Sequence, residues 1–439
     1  MKKILVISEY FAPQNTIAAV RLTKIVKYLN KDNEFNIDVI CRENFLGTKD
    51  SILEKDIENK ATIIVLNKNR ILKKLRSKFA KIKINKNTVK QKQDIFTKHY
   101  KRSLKNKYLL NLSWYIYNFE SLVFKNKAIK YLKKTNINSY THIISSFGPI
   151  SCHLIAKFIK SKNNHVFWLA DFRDPVLNDS TPRLFYKWSI NYASRVCKSA
   201  NAISAVSEGC LNALFLENFN NKYVITNGYD KEDLGQLANI SYLKNKEMTF
   251  VYTGALYSGK SDLFSFFIAL NELIEENLID PLKIKVIYAG SSSADFIKQI
   301  SKFPDLIYEI KDMLPRDEAL VLQRNADFLL LASWNNKNET GILTGKFFEY
   351  LMMRKPIIAT ITGDLPNSEL FNLITENSLG VCFEEANRDK THKELKKYLY
   401  EQYLIFIKTG SVIYSANQEF VESYDYQRIV SEIKKIISL

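Results

Sequence analysis

The sequence predicts an α/β protein made of two doubly wound, Rossmann-like domains, and three observations carry that expectation. Its 439 residues are 46% hydrophobic, more than one core normally organises, so two domains of roughly 200 residues each are expected. Short β-branched runs alternate with amphipathic stretches, as in parallel α/β sheets. The pattern turns polar from Gly235 to Glu247 and then begins again.

In the first half the candidate strands are Ile4 to Ile7, Ile37 to Ile40, Thr62 to Leu66, His142 to Ser145, Val166 to Ala170, Ala202 to Val206 and Tyr223 to Ile225. Between the first two, Ala18, Leu22, Ile25, Val26 and Leu29 fall on one face of a helix. The second series is Thr249 to Thr253, Ile284 to Ala289, Phe328 to Ala332, Pro356 to Thr360 and Gly380 to Phe383. The expected organisation is a first domain over 1–235 with an insert at about 68–134, and a second over 248–415. A C-terminal segment, 416–439, has a helical stretch from Asn417 to Ile437 that can pack back across the junction.

Charge is concentrated in the insert. Between Lys68 and Lys107 stand sixteen Lys or Arg residues against the single acid Asp94, a net +15 out of the chain's +18. The basic character therefore belongs to one module, which runs on into the aromatic stretch LLNLSWYIYNFESLVF. The opening MKKILVISEY reads as a first strand, because its apolar run breaks at Ser8 and Glu9. No run approaches the roughly 18 apolar residues that cross a bilayer, so the expected location is cytoplasmic, with any membrane contact peripheral. Five scattered cysteines without CxxC spacing suit a reducing compartment, and buried packing is their simplest role. The five histidines form no HxH or HExxH pattern and no two aspartates stand two apart, so no metal site is expected.

Ligands of doubly wound sheets bind at the carboxyl ends of strands, so chemistry-bearing phrases should follow strands. After Thr253 comes Gly254-Ala-Leu-Tyr-Ser-Gly-Lys260, where glycine lets backbone approach a phosphate and lysine offers a point charge. A Gly-Lys turn opening a surface helix reads the same way. Stronger is Glu339-Thr-Gly341-Ile342-Leu343-Thr344-Gly345-Lys346-Phe-Phe-Glu349, in which Thr344 is a candidate N-cap and the helix start a phosphate site. Lys346 and Glu349 are three apart, so one can meet phosphate and the other ribose hydroxyls, or the two can pair on a surface.

In the first half, Asp171-Phe-Arg173-Asp174 follows an apolar strand and can orient sugar hydroxyls or close a structural turn. Ser145-Ser-Phe-Gly-Pro precedes His153, which is a packing residue or a ligand contact. Ser207-Glu208 reads first as a helix cap and Asn227-Gly-Tyr-Asp230 first as a turn.

Taken together, ILVISEYFAP, LADFRDP, SAVSEG, ITNGYD, YTGALYSGK and TGKFFEYLMMRKPIIA resemble the family 4 glycosyltransferases of GT-B fold, particularly those of capsule, O-antigen and related surface polysaccharide pathways. The resemblance spans most of the chain outside the insert and the end. It implies two Rossmann-like domains facing across a cleft, with a nucleotide-sugar donor, UDP by default, on the second. Gly254 and Lys260 would then sit at the diphosphate, the Gly341, Ile342, Leu343, Thr344, Gly345, Lys346 turn at sugar and phosphate, and Glu349 at the ribose. Asp171, Lys260 and Glu349 would be the catalytic group. Tyr10, Arg21, His153 and Arg173 would line the acceptor side.

The resemblance also implies retention of configuration, no metal and no cofactor beyond the sugar nucleotide as substrate. The implied acceptor is a glycan or lipid-linked glycan at the inner face of the cytoplasmic membrane. The chain departs from the family pattern in three places. Ala18-Ala19 replaces a glycine pair, Ala255 an arginine, and Gly341 the first of two glutamates eight apart, with Glu339 two residues early. A nucleotide-sugar 2-epimerase shares the implied fold and nucleotide site. A nucleic-acid-binding protein is the reading for the basic segment alone, with no matching motif in the core.

Overall fold

The computed structural model describes residues 2–43, 49–66, 96–148, 150–177, 181–214, 219–235, 245–257, 260–337 and 339–437. The chain divides into two compact units. One comprises Met1–Val206, Leu211–Val224 and Glu432–Leu439, and the other Ser207–Cys210 and Ile225–Ser431.

The first unit is built on a parallel sheet ordered β3-β2-β1-β4-β5-β6-β7. Its strands are β1 (Lys3–Ile7), β2 (Asn36–Arg42), β3 (Thr62–Leu66), β4 (His142–Phe147), β5 (Phe167–Phe172), β6 (Ala202–Ala205) and β7 (Lys222–Val224). Its helices are α1 (Ile17–Leu29), α2 (Ser51–Asp56), α3 (Phe96–Leu132), α4 (Ser151–Lys162) and α5 (Tyr186–Cys197), followed by α6 (Glu208–Asn212) at the unit boundary. In α1, Leu22, Ile25, Val26 and Leu29 are buried as their spacing predicts, and Ala19 rather than Ala18 takes the inner place. Thr16 starts that helix by accepting a hydrogen bond from the Ala19 N–H at 3.1 Å. The insert forms the 37-residue α3, the sheet's longest crossover. The basic segment's residues 68–95 lie outside the described ones.

The second unit repeats the plan in the order β10-β9-β8-β11-β12-β13, again with every pair parallel. Its strands are β8 (Met248–Thr253), β9 (Ile284–Ala289), β10 (Tyr308–Lys311), β11 (Phe328–Trp334), β12 (Ile357–Thr362) and β13 (Gly380–Glu384). The helices are α7 (Lys231–Gly235), α8 (Phe264–Glu275), α9 (Ser293–Ile300), α10 (Arg316–Arg324), α11 (Gly345–Met353), α12 (Glu369–Glu376), α13 (Arg388–Thr409) and α14 (Gln418–Ser423), followed by α15 (Tyr426–Ile436), which spans the unit boundary at Glu432. Alternation along the central strands divides the core between the sheet's two faces. Phe250, Tyr252, Phe328 and Leu330 join one cluster with Phe266, Leu270 and Leu399, while Val251, Leu329 and Leu331 join another with Phe347 and Leu351. Each such fully buried side chain contributes about 1.5–3 kcal/mol.

Two elements differ from expectation. Strand β10, YEIK, carries no apolar run, because an edge strand tolerates charge; Lys311 and Lys285 both pair with Glu309. The predicted helix from Asn417 to Ile437 is instead two helices broken at Tyr424–Asp425. There the Tyr229 N–H donates to the Tyr424 carbonyl and the Tyr426 N–H to the Tyr229 carbonyl, both at 2.9 Å, which draws the backbone out of helical bonding. Among the described residues no helix is long and apolar enough to cross a membrane.

Both sheets reverse strand order once, beside β1 and β4 in the first unit and beside β8 and β11 in the second. Doubly wound sheets bind ligands outside the carboxyl ends of strands at such a reversal.

Candidate functional site

In the second unit, the chain leaving β8 turns at Gly254, whose φ of +102° suits glycine. A Cβ there would lie 2.6 Å from the Lys346 Cε, so the missing side chain makes the room that Lys346 occupies. The Lys346 amine donates to the Tyr252 hydroxyl at 3.0 Å and the Ala255 carbonyl at 3.4 Å, and lies 4.6 Å from the Tyr252 ring centre. Burial pushes its pKa down to about 8, against a partial offset from Glu349. No carboxylate oxygen among the described residues lies within 4.0 Å of that amine.

Lys260 is held differently. Its amine is 2.6 Å from the Glu339 carboxylate, which also accepts the Trp334 indole N–H at 2.6 Å. The same amine stands 5.0 Å from the Trp334 ring, against whose edge Tyr257 packs. Glu339 is thus the counter-ion of Lys260.

Between β11 and α11, Gly341 takes a φ of +67°, the Ile342 carbonyl accepts the Ser333 hydroxyl at 3.3 Å, and Leu343 is buried in the core. Thr344 occupies the N-cap position of α11, as its place before Gly345 predicts, yet its side chain does not cap the helix. Its hydroxyl oxygen is buried and has no hydrogen-bond partner among the described residues, a condition that costs free energy until something bonds to it. Lys346 and Glu349 do not pair, because the amine turns to Tyr252. The Glu349 carboxylate instead accepts from the Gln323 side chain at 3.3 Å and lies 3.8 Å from Arg316, which itself pairs with Asp233 at 3.1 Å.

In the first unit, strand register places Ser146 opposite Asp171 and Asp171 opposite Ser204. The Asp171 carboxylate accepts from both hydroxyls, at 3.2 and 2.9 Å, and from the Arg21 guanidinium at 2.7 and 3.2 Å. Burial alone would raise its pKa, but the Arg21 charge and these hydrogen bonds hold it below the usual carboxylate value. Arg21 is 1% exposed and Asp171 2%, so this pair ties α1 to the sheet, and neither group is open to an acceptor in this structure.

His153 is likewise interior. Its Nδ1 lies 2.8 Å from the Ser145 hydroxyl, which accepts the Trp168 indole N–H, while its buried Nε2 has no partner among the described residues. Burial lowers its pKa to about 3, so the ring is neutral. Arg173 donates to the carbonyls of Phe147 and Gly148 at 2.8 and 2.6 Å and stacks 5.0 Å from the half-buried Tyr10 ring. Tyr10 and Arg173 are therefore together, as are Arg21 and Asp171. Sequence reasoning missed Tyr252, Tyr257, Gln323, Arg316 and Trp334, which read as ordinary strand or loop aromatics and helix polar residues.

No family model matches the chain. Among curated proteins it resembles the type II methyltransferase M.MjaII of Methanocaldococcus jannaschii, at 24% identity over 338 residues, 70% of this chain and 60% of that protein. The chain therefore spans less than two thirds of that relative's length. Among solved structures it is similar to an E. coli trehalose-6-phosphate protein bound with UDP-2-fluoro glucose, with a TM-score of 0.60, 12% identity, and 100% and 99% of the two chains covered. The lipopolysaccharide outer core galactosyltransferase WaaB gives a TM-score of 0.56 at 12% identity over 99% of both chains. A putative UDP-N-acetylglucosamine 2-epimerase of Listeria monocytogenes gives 0.52 at 11% identity, over 99% of this chain and 96% of that one. The fold is GT-B, two doubly wound Rossmann-like domains.

Proposed function

We propose that the chain is a glycosyltransferase that moves a sugar from a nucleotide-sugar donor, a UDP-sugar, to a glycan or lipid-linked glycan, with retention and without a metal ion. The observation that carries this reading is Lys346, a lysine amine with neutral hydrogen-bond acceptors and no carboxylate within 4.0 Å among the described residues, set against Gly254 at the carboxyl end of β8. Such a cation calls for an anion, and the unpartnered Thr344 hydroxyl two residues away supplies a further donor. Lys260 adds a second cation where β8 ends, so a diphosphate leaving group would be stabilised as its charge develops. Glu349, 30% exposed at its side chain, is the proposed ribose partner.

Capsule or O-antigen assembly and a family 4 membership rest on the sequence phrases. Cytoplasmic location at the membrane's inner face rests on the basic segment, whose net +15 between Lys68 and Lys107 suits anionic lipid. The deciding experiment is a thermal-shift panel of nucleotides, nucleotide sugars and S-adenosylmethionine. A ligand at about 100 times its dissociation constant stabilises the fold by about 2.7 kcal/mol. Stabilisation by UDP or a UDP-sugar supports the reading, while stabilisation by S-adenosylmethionine alone replaces it with methyl transfer. Release of a free epimerised sugar without any acceptor would assign the same site to a 2-epimerase.

A further inference from the structure

The first unit carries an exposed aromatic face that no part of the donor site uses. On α3, Tyr115, Phe119 and Leu122 are exposed at spacings of four and three, which place them on one helical stripe. Beside it the 3-10 turn Arg183–Phe185 leads into α5 and exposes Leu184 at 87% and Trp188 at 54%. Ring contacts join the two elements into one surface. Trp114 stacks on Phe185 with centroids 5.3 Å apart, Tyr115 meets Phe185 edge-on at 6.0 Å, and Trp188 stacks on Tyr192 at 4.8 Å.

Large apolar groups held in water at this density mark an interaction site. Charge decides the partner. From Arg183 to Lys198 the sequence has four cations and no acid, and α3 has eight Lys or Arg residues and the single acid Glu120. Glu120 is buried, 3.6 Å from Arg42. Neither element therefore offers an exposed carboxylate among the described residues, and five of the eight α3 cations belong to the +15 segment. An aromatic face carried by two elements whose own exposed charges are cations matches the boundary of an anionic bilayer, where Trp and Tyr settle at headgroup depth and Lys and Arg meet phosphates.

We propose that Tyr115, Phe119, Leu122, Leu184 and Trp188 form a wedge that inserts into the headgroup and acyl boundary of an anionic membrane, while the adjoining cations hold its phosphates. This deepens the proposed peripheral docking, adding insertion to attraction, and is independent of the donor assignment. Electrostatic attraction alone is reversed by salt, whereas an inserted aromatic face persists once docked.

The full chain is tested by sedimentation with vesicles of phosphatidylglycerol and phosphatidylcholine, and with phosphatidylcholine alone. Brominated acyl chains report tryptophan depth. The wild-type chain should bind the anionic vesicles and show quenched tryptophan fluorescence. The doubly substituted Leu184→Ser, Trp188→Ser chain should keep its melting temperature and its response to UDP and bind roughly ten- to a hundredfold more weakly, and Leu184→Ser alone, which keeps Trp188, should show weaker quenching. If the doubly substituted chain binds like wild type while charge reversal at Lys73, Lys74, Arg76 and Lys78 abolishes binding, insertion is overturned and electrostatic docking stands. Failure of the wild-type chain to bind anionic vesicles overturns both. A dimer that forms without vesicles and dissociates on the double substitution overturns the lipid assignment, because a second copy of the chain then covers the face.

Discussion

The amine of Lys346 rests 3.0 Å from the Tyr252 hydroxyl and 4.6 Å from the centre of its ring, an arrangement that favours a cation yet brings no carboxylate within 4.0 Å among the described residues. Burial brings its pKa to about 8, so the amine begins to lose its proton just above neutrality. A bound diphosphate would favour the ammonium. UDP affinity should therefore be greatest below pH 8 and fall as pH rises through it, with proton uptake on binding visible in titration calorimetry. The empty protein behaves in the opposite sense. Its folded pKa lies below the unfolded 10.5, so the unfolded chain binds more protons between those values and stability rises with pH across that window. Lys346→Met should abolish the pH dependence of UDP binding, weaken that binding at least tenfold, and leave the melting temperature at pH 7 unchanged or slightly higher. A variant with unchanged UDP affinity would remove Lys346 from the phosphate site.

Lys260 gives a contrasting expectation because Glu339 neutralises it at 2.6 Å. A diphosphate must compete with that carboxylate for the amine. Glu339→Gln keeps an acceptor for the Trp334 indole while removing the competing charge, so UDP should bind roughly three- to tenfold more tightly. Lys260→Met should weaken it. Calorimetry on both variants separates this latch from a purely structural pair, for which both substitutions lower the melting temperature and neither moves UDP affinity.

Much of this arrangement was legible beforehand. Strands such as Phe328 to Ala332 announce themselves because both faces of a parallel strand are buried, and the phrases after Thr253 and before Gly345 fall at carboxyl ends as the doubly wound pattern requires. The pairings were not legible. Spacing put Lys346 beside Glu349, but the room beside Gly254 and the acceptor on Tyr252 drew the amine to another strand. Arg21 and Asp171 lie 150 residues apart, so nothing local announces that they share one buried bond. Nothing local in the sequence marks Leu184 and Trp188, whose exposure comes from how the described residues pack.

The proposed donor site predicts metal independence. If Lys346, and Lys260 once released from Glu339, offset the leaving-group charge, donor use should persist in EDTA, and added magnesium or manganese should change the rate less than twofold. Sugar transfer or donor hydrolysis, measured in chelator and after metal addition, decides the matter. Complete loss restored by one divalent ion would count against the two-lysine mechanism.

The Arg21–Asp171 pair should govern stability. Removing one partner of a buried ion pair strands the other, at a cost of about 3–5 kcal/mol. Asp171→Ala should therefore lower the denaturant midpoint sharply. Because the folded-state pKa of Asp171 is depressed below 3.8, its contribution is present above that value and is lost as pH falls through the lower folded value. The acid-unfolding midpoint should move upward in the variant. Normal stability with lost transfer would instead mark Asp171 as a group that reaches substrate.

Glu349 is the sharpest test of the donor site. Its carboxylate accepts from Gln323 at 3.3 Å and lies 3.8 Å from Arg316, so two neighbours already orient it. If it also accepts the donor ribose hydroxyls, Glu349→Gln keeps the size and removes the charge that makes those bonds strong, roughly 1.5–3 kcal/mol. Donor kcat/KM should then fall roughly ten- to a hundredfold, with the melting temperature unchanged. A carboxylate that serves only Arg316 gives the reverse, a modest loss of stability with normal kinetics, and Gln323→Ala should then reproduce it. Measuring Glu349→Gln and Lys346→Met together adds a further distinction. Loss at the ribose should appear with UDP and uridine alike, whereas loss at the phosphate should appear with UDP and spare uridine. Equal uridine affinity in wild type and Glu349→Gln would take this residue out of the nucleoside site.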